Sequence, residues 1–120
     1  MRLNERDAAY LWDMLDQSRT IREITIGASF HHYMQNKILQ LALERALEII
    51  GEAARRISEG FKSDHPEIPW QGIIAQRNVI AHEYGEIKHE RLWLVATKRI
   101  PELITILEKV NLPSIGIDKP

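Results

Sequence analysis

Apolar residues in this chain recur every three or four positions, and that spacing predicts helices throughout. Ala8, Leu11, Met14 and Leu15 mark a first helix from about Asn4 to Ile24. Gly27-Ala28-Ser29 interrupts the pattern, and Ser29 suits the N-cap of the next helix. This second, long helix is expected from about Phe30 to Glu59. Its apolar set runs Ile38, Leu39, Ala42, Leu43, Ala46, Leu47, Ile49, Ile50, Ala53, Ala54, Ile57, and covers about half the circumference. A surface helix needs less, so this should be the central one, touching two or more neighbours. Gly60 reads as its C′ residue, and Phe61 to Pro69 as a loop. Pro69 suits the first turn of a third helix from Trp70 to about Glu83, with Gly85 just past its end. A fourth runs from about His89 to Val110, where Pro101 removes one ladder donor and predicts a kink or restart. No repeat and no β-alternation appears. The expectation is an all-α, up-down bundle of four to five helices over residues 1–110, with an irregular tail over 111–120.

Composition narrows the chemistry more than the fold. The 120 residues include no Cys, which excludes a disulfide framework, a thiolate zinc site and a cysteine nucleophile, and fits a reducing cytosol. The charged start, Met1-Arg2-Leu3-Asn4-Glu5, reads against a secretory signal peptide. No apolar run approaches the roughly 20 residues that span a bilayer, so no membrane role is expected. Lys and Arg number 16 against 17 Asp and Glu, a net charge of −1. Affinity for nucleic acid would therefore need a local patch.

One stretch departs from ordinary bundle chemistry: Arg77-Asn78-Val79-Ile80-Ala81-His82-Glu83-Tyr84. At about 100° per residue, Trp70, Ile73, Ile74, Ile80 and Ala81 form an apolar stripe centred on Arg77 itself. A guanidinium there is costly unless it has a charged partner or opens into a cleft. Asn78 and His82 are four apart, so the amide can reach and orient the imidazole. Arg77 lies five before His82, about 140° round the helix, and the two converge only if the helix frays or a second copy contributes. A two-fold dimer pairing third helices would bring both into one cleft. An imidazole titrating near neutrality beside a cation that grips phosphate suits metal-free RNA cleavage by the RNA's own 2′-hydroxyl.

Arg77-Asn78 followed by His82 and Tyr84 resembles the Arg-x4-His-x-Tyr signature of HEPN-domain toxins of the HepT type. Leu47-Glu48-Ile49-Ile50-Gly51-Glu52-Ala53-Ala54 is similar to that family's second-helix core, and Pro66-Glu67-Ile68-Pro69-Trp70 to its lead-in to the motif helix. Leu92-Trp93 through Ile100-Pro101-Glu102-Leu103 resembles its last helix. The resemblance implies a HEPN-like homodimer whose Arg77 and His82 cleave RNA without metal or other cofactor, with Asn78 in support. It further implies the toxin of a type VII-like toxin–antitoxin pair. The partner would be a minimal nucleotidyltransferase antitoxin that transfers AMP onto Tyr84.

Other readings stand beside it. Arg77 could be a structural arginine paired with Glu52, and His82 a histidine favoured by the helix C-terminus. The fold could also serve as a catalytically idle nucleotide- or RNA-binding module, or as a helical interaction protein. His31, His32, His65 and His89 lack zincin spacing and read as surface residues. Trp70 and Trp93 read as core anchors, and Gly51 as a point of close helix approach. Arg45, Arg55, Arg56, Lys88, Arg91, Lys98 and Arg99 are candidates for a positive rim.

Overall fold

The computed structural model describes residues 3–110 and Leu112, and among these there is helix and no strand. The chain forms α1 (Glu5–Thr25), α2 (Phe30–Met34), α3 (Lys37–Arg56), α4 (Glu59–Asp64), α5 (Trp70–His82) and α6 (Gly85–Leu94). A π-helical turn, Val95–Arg99, then joins α6 to α7 (Ile100–Lys109) as one continuous rod. Four long rods and two short helices therefore replace the four or five helices expected. Helix α3 packs on α1 and α5, and α1 packs in turn on α7, so α3 is central as its wide apolar arc implied. The core lies between these rods, with Leu11, Met14, Leu43, Leu92, Ile104 and Leu107 fully buried. Ile38 and Leu41 of α3 are left on the outside.

Local side chains start most of the helices. Asn4, Ser29, Asn36 and Ser58 each accept a backbone N–H at the mouth of α1, α2, α3 and α4, an arrangement worth about 1 kcal/mol apiece. Asn36 corrects the expected continuous second helix. Its side chain takes the Leu39 N–H at 3.0 Å, while the buried Gln40 amide donates to the Tyr33 and Met34 carbonyls at 3.0 and 3.2 Å. With donor and acceptor both supplied, breaking the helix there leaves little unsatisfied.

Gly60 does not end α3; it lies inside α4. The helix stops at Ile57 because Asp7, 51 residues away on α1, captures Ser58. The Asp7 carboxylate accepts the Ser58 N–H at 2.9 Å and also the Ser58 hydroxyl, and it is 3 % exposed. The Pro101 kink is absorbed by the π turn, where the Ile100 N–H reaches the Val95 carbonyl. One extra residue per turn relieves the clash that a proline ring creates inside an α-helix, and the rod continues. Of the expected tail, only Leu112 is described, its N–H on the Val110 carbonyl at 2.9 Å; the rest lies outside the described residues. No helix among the described residues is long and apolar enough to cross a membrane.

Candidate functional site

The motif occupies α5, the rod with the least cover. It packs chiefly on α3 with a lighter contact to α6, has no side-chain N-cap, and buries only Trp70 among its 13 residues. Trp70 secures its start: the ring enters the core cluster and the indole N–H donates to the His65 carbonyl at 3.0 Å. Gly51 brings α5 close to α3. A Cβ at that position would lie 3.3 Å from the Ile73 carbonyl and 3.4 Å from the Arg77 Cγ. The close approach expected of Gly51 is thus made against the motif helix, and against Arg77 itself.

Arg77 lies on the α3 side of α5, but its guanidinium is not embedded in the apolar stripe. The stem rests on Gly51 while the head leaves sideways to water, with half the side chain exposed, and pairs with Glu52 Oε1 at 3.0 Å. Glu52 Oε2 receives Arg55 at 2.8 Å and Arg56 at 2.9 Å. Those hydrogen bonds from Arg55 and Arg56 hold the Glu52 carboxyl down to about 2. The carboxylate is therefore ionised at any working pH and serves three guanidiniums at once. The partner considered for Arg77 in the sequence is the one it has.

Asn78 opens into a cleft of about 650 Å³ lined by Glu48, Gln71, Ile74, Ala75, Arg77 and Ala81. His82 is the last residue of α5 and is exposed. The Asn78–His82 hydrogen bond expected from their spacing is not formed, and neither side chain makes a hydrogen bond among the described residues. Nothing joins Arg77 to His82 within one chain, in keeping with a turn of about 140° and a rise of about 7.5 Å over five residues. Tyr84 leads into Gly85, whose φ of +65° makes the corner to α6, and its side chain is 80 % exposed. The structure thus places Arg77, Asn78, His82 and Tyr84 on open surface of one helix and its exit. It does not bring them together.

Several other expectations change. His89 is half-buried, its Nδ1 3.2 Å from the Tyr33 hydroxyl, and burial lowers its pKa. Burial also pushes the Tyr33 hydroxyl far up, with the Glu44 carboxylate adding to it. Trp93 stacks on Tyr33 at 5.0 Å, half-buried against the core. The positive rim is largely paired off: Lys88 with Glu44 at 3.1 Å, Arg91 with Glu83 at 3.2 Å and Arg99 with Glu102 at 3.7 Å. Among the described residues no three His, Asp or Glu side chains converge as a metal site would. The Tyr10 hydroxyl, which no sequence motif singled out, has its pKa lowered by the neighbouring guanidiniums of Arg6 and Arg56. The four-residue spacing from Arg6 to Tyr10 was its one available signal.

Comparison with known proteins bears directly on this helix. Residues 14–110 match the family model described as ribonuclease HepT-like, which includes all of α5. The chain is 37 % identical over 102 residues to "Probable ribonuclease HepT" of Thermococcus cleftensis, covering 85 % of this chain and 93 % of that protein. It is 33 % identical over 102 residues to "Putative RNase MJ1380" of Methanocaldococcus jannaschii, covering 84 % and 94 %. No solved structure matches. A match across most of the chain, motif helix included, settles the kinship: this protein belongs to the ribonuclease HepT-like family.

Proposed function

We propose that the chain is a metal-independent endoribonuclease, the toxin of a two-component pair, acting as a homodimer. The observation that carries this reading is the motif helix itself. In a chain of this family, Arg77, Asn78, His82 and Tyr84 all stand on open surface of α5 and the corner after it. That helix is covered by one main neighbour, with Ile74 and Ala81 lining its open cleft and Ile38 and Leu41 exposed at the start of α3, the rod it packs on. An under-covered apolar face of this kind favours a second copy, and the copy supplies the histidine that one chain's arginine lacks.

In the reaction, His82 takes the proton from the ribose 2′-hydroxyl, and the 2′-oxygen attacks the adjacent phosphorus. The P–O5′ bond breaks, a proton returns to the 5′-oxygen, and a 2′,3′-cyclic phosphate is left. Arg77 grips the phosphate and its developing charge. Asn78 orients His82 once the cleft is closed. Tyr84 accepts AMP from ATP through its hydroxyl, with pyrophosphate leaving, in a reaction run by a nucleotidyltransferase partner. The added anion and bulk then occupy the surface RNA would use.

Arg77→Ala and His82→Ala should each cut cleavage by at least about a hundredfold. Helix content and sedimenting mass should stay unchanged, and activity should persist in chelator. Cleavage surviving in both variants ends the assignment. Co-expression with the partner enzyme should add the mass of AMP at Tyr84 and not in Tyr84→Phe.

A second reading draws on the Arg77–Glu52 ion pair: a catalytically idle RNA-binding module in which Arg77 only ties α5 to α3. It requires that replacing Arg77 and Glu52 together by matched apolar residues leave function intact, and that RNA be protected but not cut.

A further inference from the structure

Charge on the Arg77 side of the molecule is out of balance. Three guanidiniums, those of Arg55, Arg56 and Arg77, share the single Glu52 carboxylate. Each carries about five N–H donors and one carboxylate offers only about four acceptor positions, so most of the donors face water. The side chains of Arg55, Arg56 and Arg77 are 51 %, 47 % and 50 % exposed, which leaves them accessible to a larger anion. Beyond Arg56 the row continues onto α1, which packs against α3 and carries the half-buried Tyr10, near enough to Arg6 and Arg56 for their charge to act on its hydroxyl. Lys88, Arg91 and Arg99 are each matched by one acid, whereas here three bases share one. In a chain of net charge −1 this is a local surplus.

The row crosses three adjacent helices, α5, α3 and α1, which pack side by side. Glu52 gathers three of the guanidiniums, and an aromatic ring stands on the α1 side of them. Cations in a row with an aromatic platform suit a single strand: phosphates lie on the arginines and a base stacks on the ring. We propose that Arg77, Arg55, Arg56, Arg6 and Tyr10 form a track for single-stranded RNA, leading from the Arg77 phosphate site across Glu52 to a base-stacking position at Tyr10. The choice of RNA as the strand rests on the ribonuclease reading above; the track adds where the flanking nucleotides lie.

The test uses the full chain in a His82→Ala background and a labelled oligouridylate of about 12 nucleotides, followed by fluorescence anisotropy across about 50–200 mM salt. Tyr10→Ala should weaken binding roughly tenfold, and Tyr10→Phe, which keeps the ring, should stay within about twofold. Arg56→Gln should lower the slope of log affinity against log salt by about 1. Arg22→Gln, an exposed arginine elsewhere on α1, should change nothing. In the chain with His82 restored, Tyr10→Ala and Arg56→Gln should raise KM by a larger factor than they lower kcat. Unchanged affinity and salt slope in both track variants overturns the proposal, as does an equal loss in Arg22→Gln. So does a loss confined to binding of the nucleotidyltransferase partner. If Tyr10→Ala melts early, Tyr10→Phe and Arg56→Gln still decide. The two readings fail separately. Cleavage with unaltered KM in the track variants removes the track and leaves the ribonuclease. Binding losses as expected in a chain that cuts no RNA leave the track and remove the ribonuclease.

Discussion

Asp7→Ala should be among the most damaging single changes outside the apolar core. The carboxylate is buried and holds three donors: the Ser58 N–H at 2.9 Å, the Ser58 hydroxyl and the Asn4 side-chain amide at 3.3 Å. A hydrogen bond to a charged acceptor contributes about 1.5–3 kcal/mol, and an orphaned buried donor costs about 1–3 kcal/mol. Asp7 also sits in the first turn of α1, where a negative charge adds about 0.3–1 kcal/mol. Against these stands the desolvation of the carboxylate, which its removal relieves. The net expectation is a loss of about 3 kcal/mol, or a fall in Tm of about 12 °C at about 4 °C per kcal/mol for a chain of this size. Urea denaturation followed by far-ultraviolet circular dichroism reads the first quantity and a thermal scan the second. A double-mutant cycle with Ser58→Ala should return a coupling of at least about 1 kcal/mol, because the two residues share the bonds being cut. A loss below about 1 kcal/mol, or simple additivity with Ser58→Ala, would refute the claim that Asp7 ends α3.

Other expectations rest on single features. Ser18 is fully buried in α1 and its hydroxyl has no hydrogen-bond partner among the described residues, so Ser18→Ala should be neutral or stabilise by about 1 kcal/mol, read as the urea midpoint. Gly51→Val puts methyl groups against the Ile73 carbonyl and the Arg77 stem, and should cost about 2 kcal/mol while lowering RNA cleavage by moving α5; unchanged activity would show that the close approach does not set the site. Burial holds the His89 imidazole below its unfolded pKa of about 6.5, with Lys88 and Lys37 adding to the shift and Glu44 opposing it. The unfolded chain then binds the proton first, so this contribution to stability is complete above about pH 6.5 and is lost as the pH falls toward the folded pKa. His89→Gln should flatten that part of the stability profile between about pH 5 and pH 7, and an unaltered slope would count against it.

How far the site could be read before the fold was known differs residue by residue. The Arg-x4-His-x-Tyr spacing located the motif, and the helical wheel turned Arg77 toward α3, where its stem indeed lies on Gly51. The wheel set Arg77 amid apolar residues and left a charged partner or a cleft as the alternatives; because α5 has one main covering neighbour, the guanidinium is half exposed and paired with Glu52. It placed His89 on the surface because its aromatic partner Tyr33 arrives from α2, 56 residues away in the chain. The arginine cluster was hidden for a similar reason: Arg56 and Arg77 come from different helices and share Glu52 only because α3 and α5 pack together.

By itself the sequence determined the helical class, the motif helix and the cap at Ser29, since all of these depend on periodicity and on bonds spanning three or four residues. Only the tertiary structure decided where the long central helix breaks and ends, how Pro101 is accommodated, and what Arg77 and Tyr10 face. Gln40 reaches back to the end of α2 and Asp7 reaches Ser58 across 51 residues. Contacts made at that range leave no trace in a local hydrophobic pattern, because they are fixed by which rods pack together.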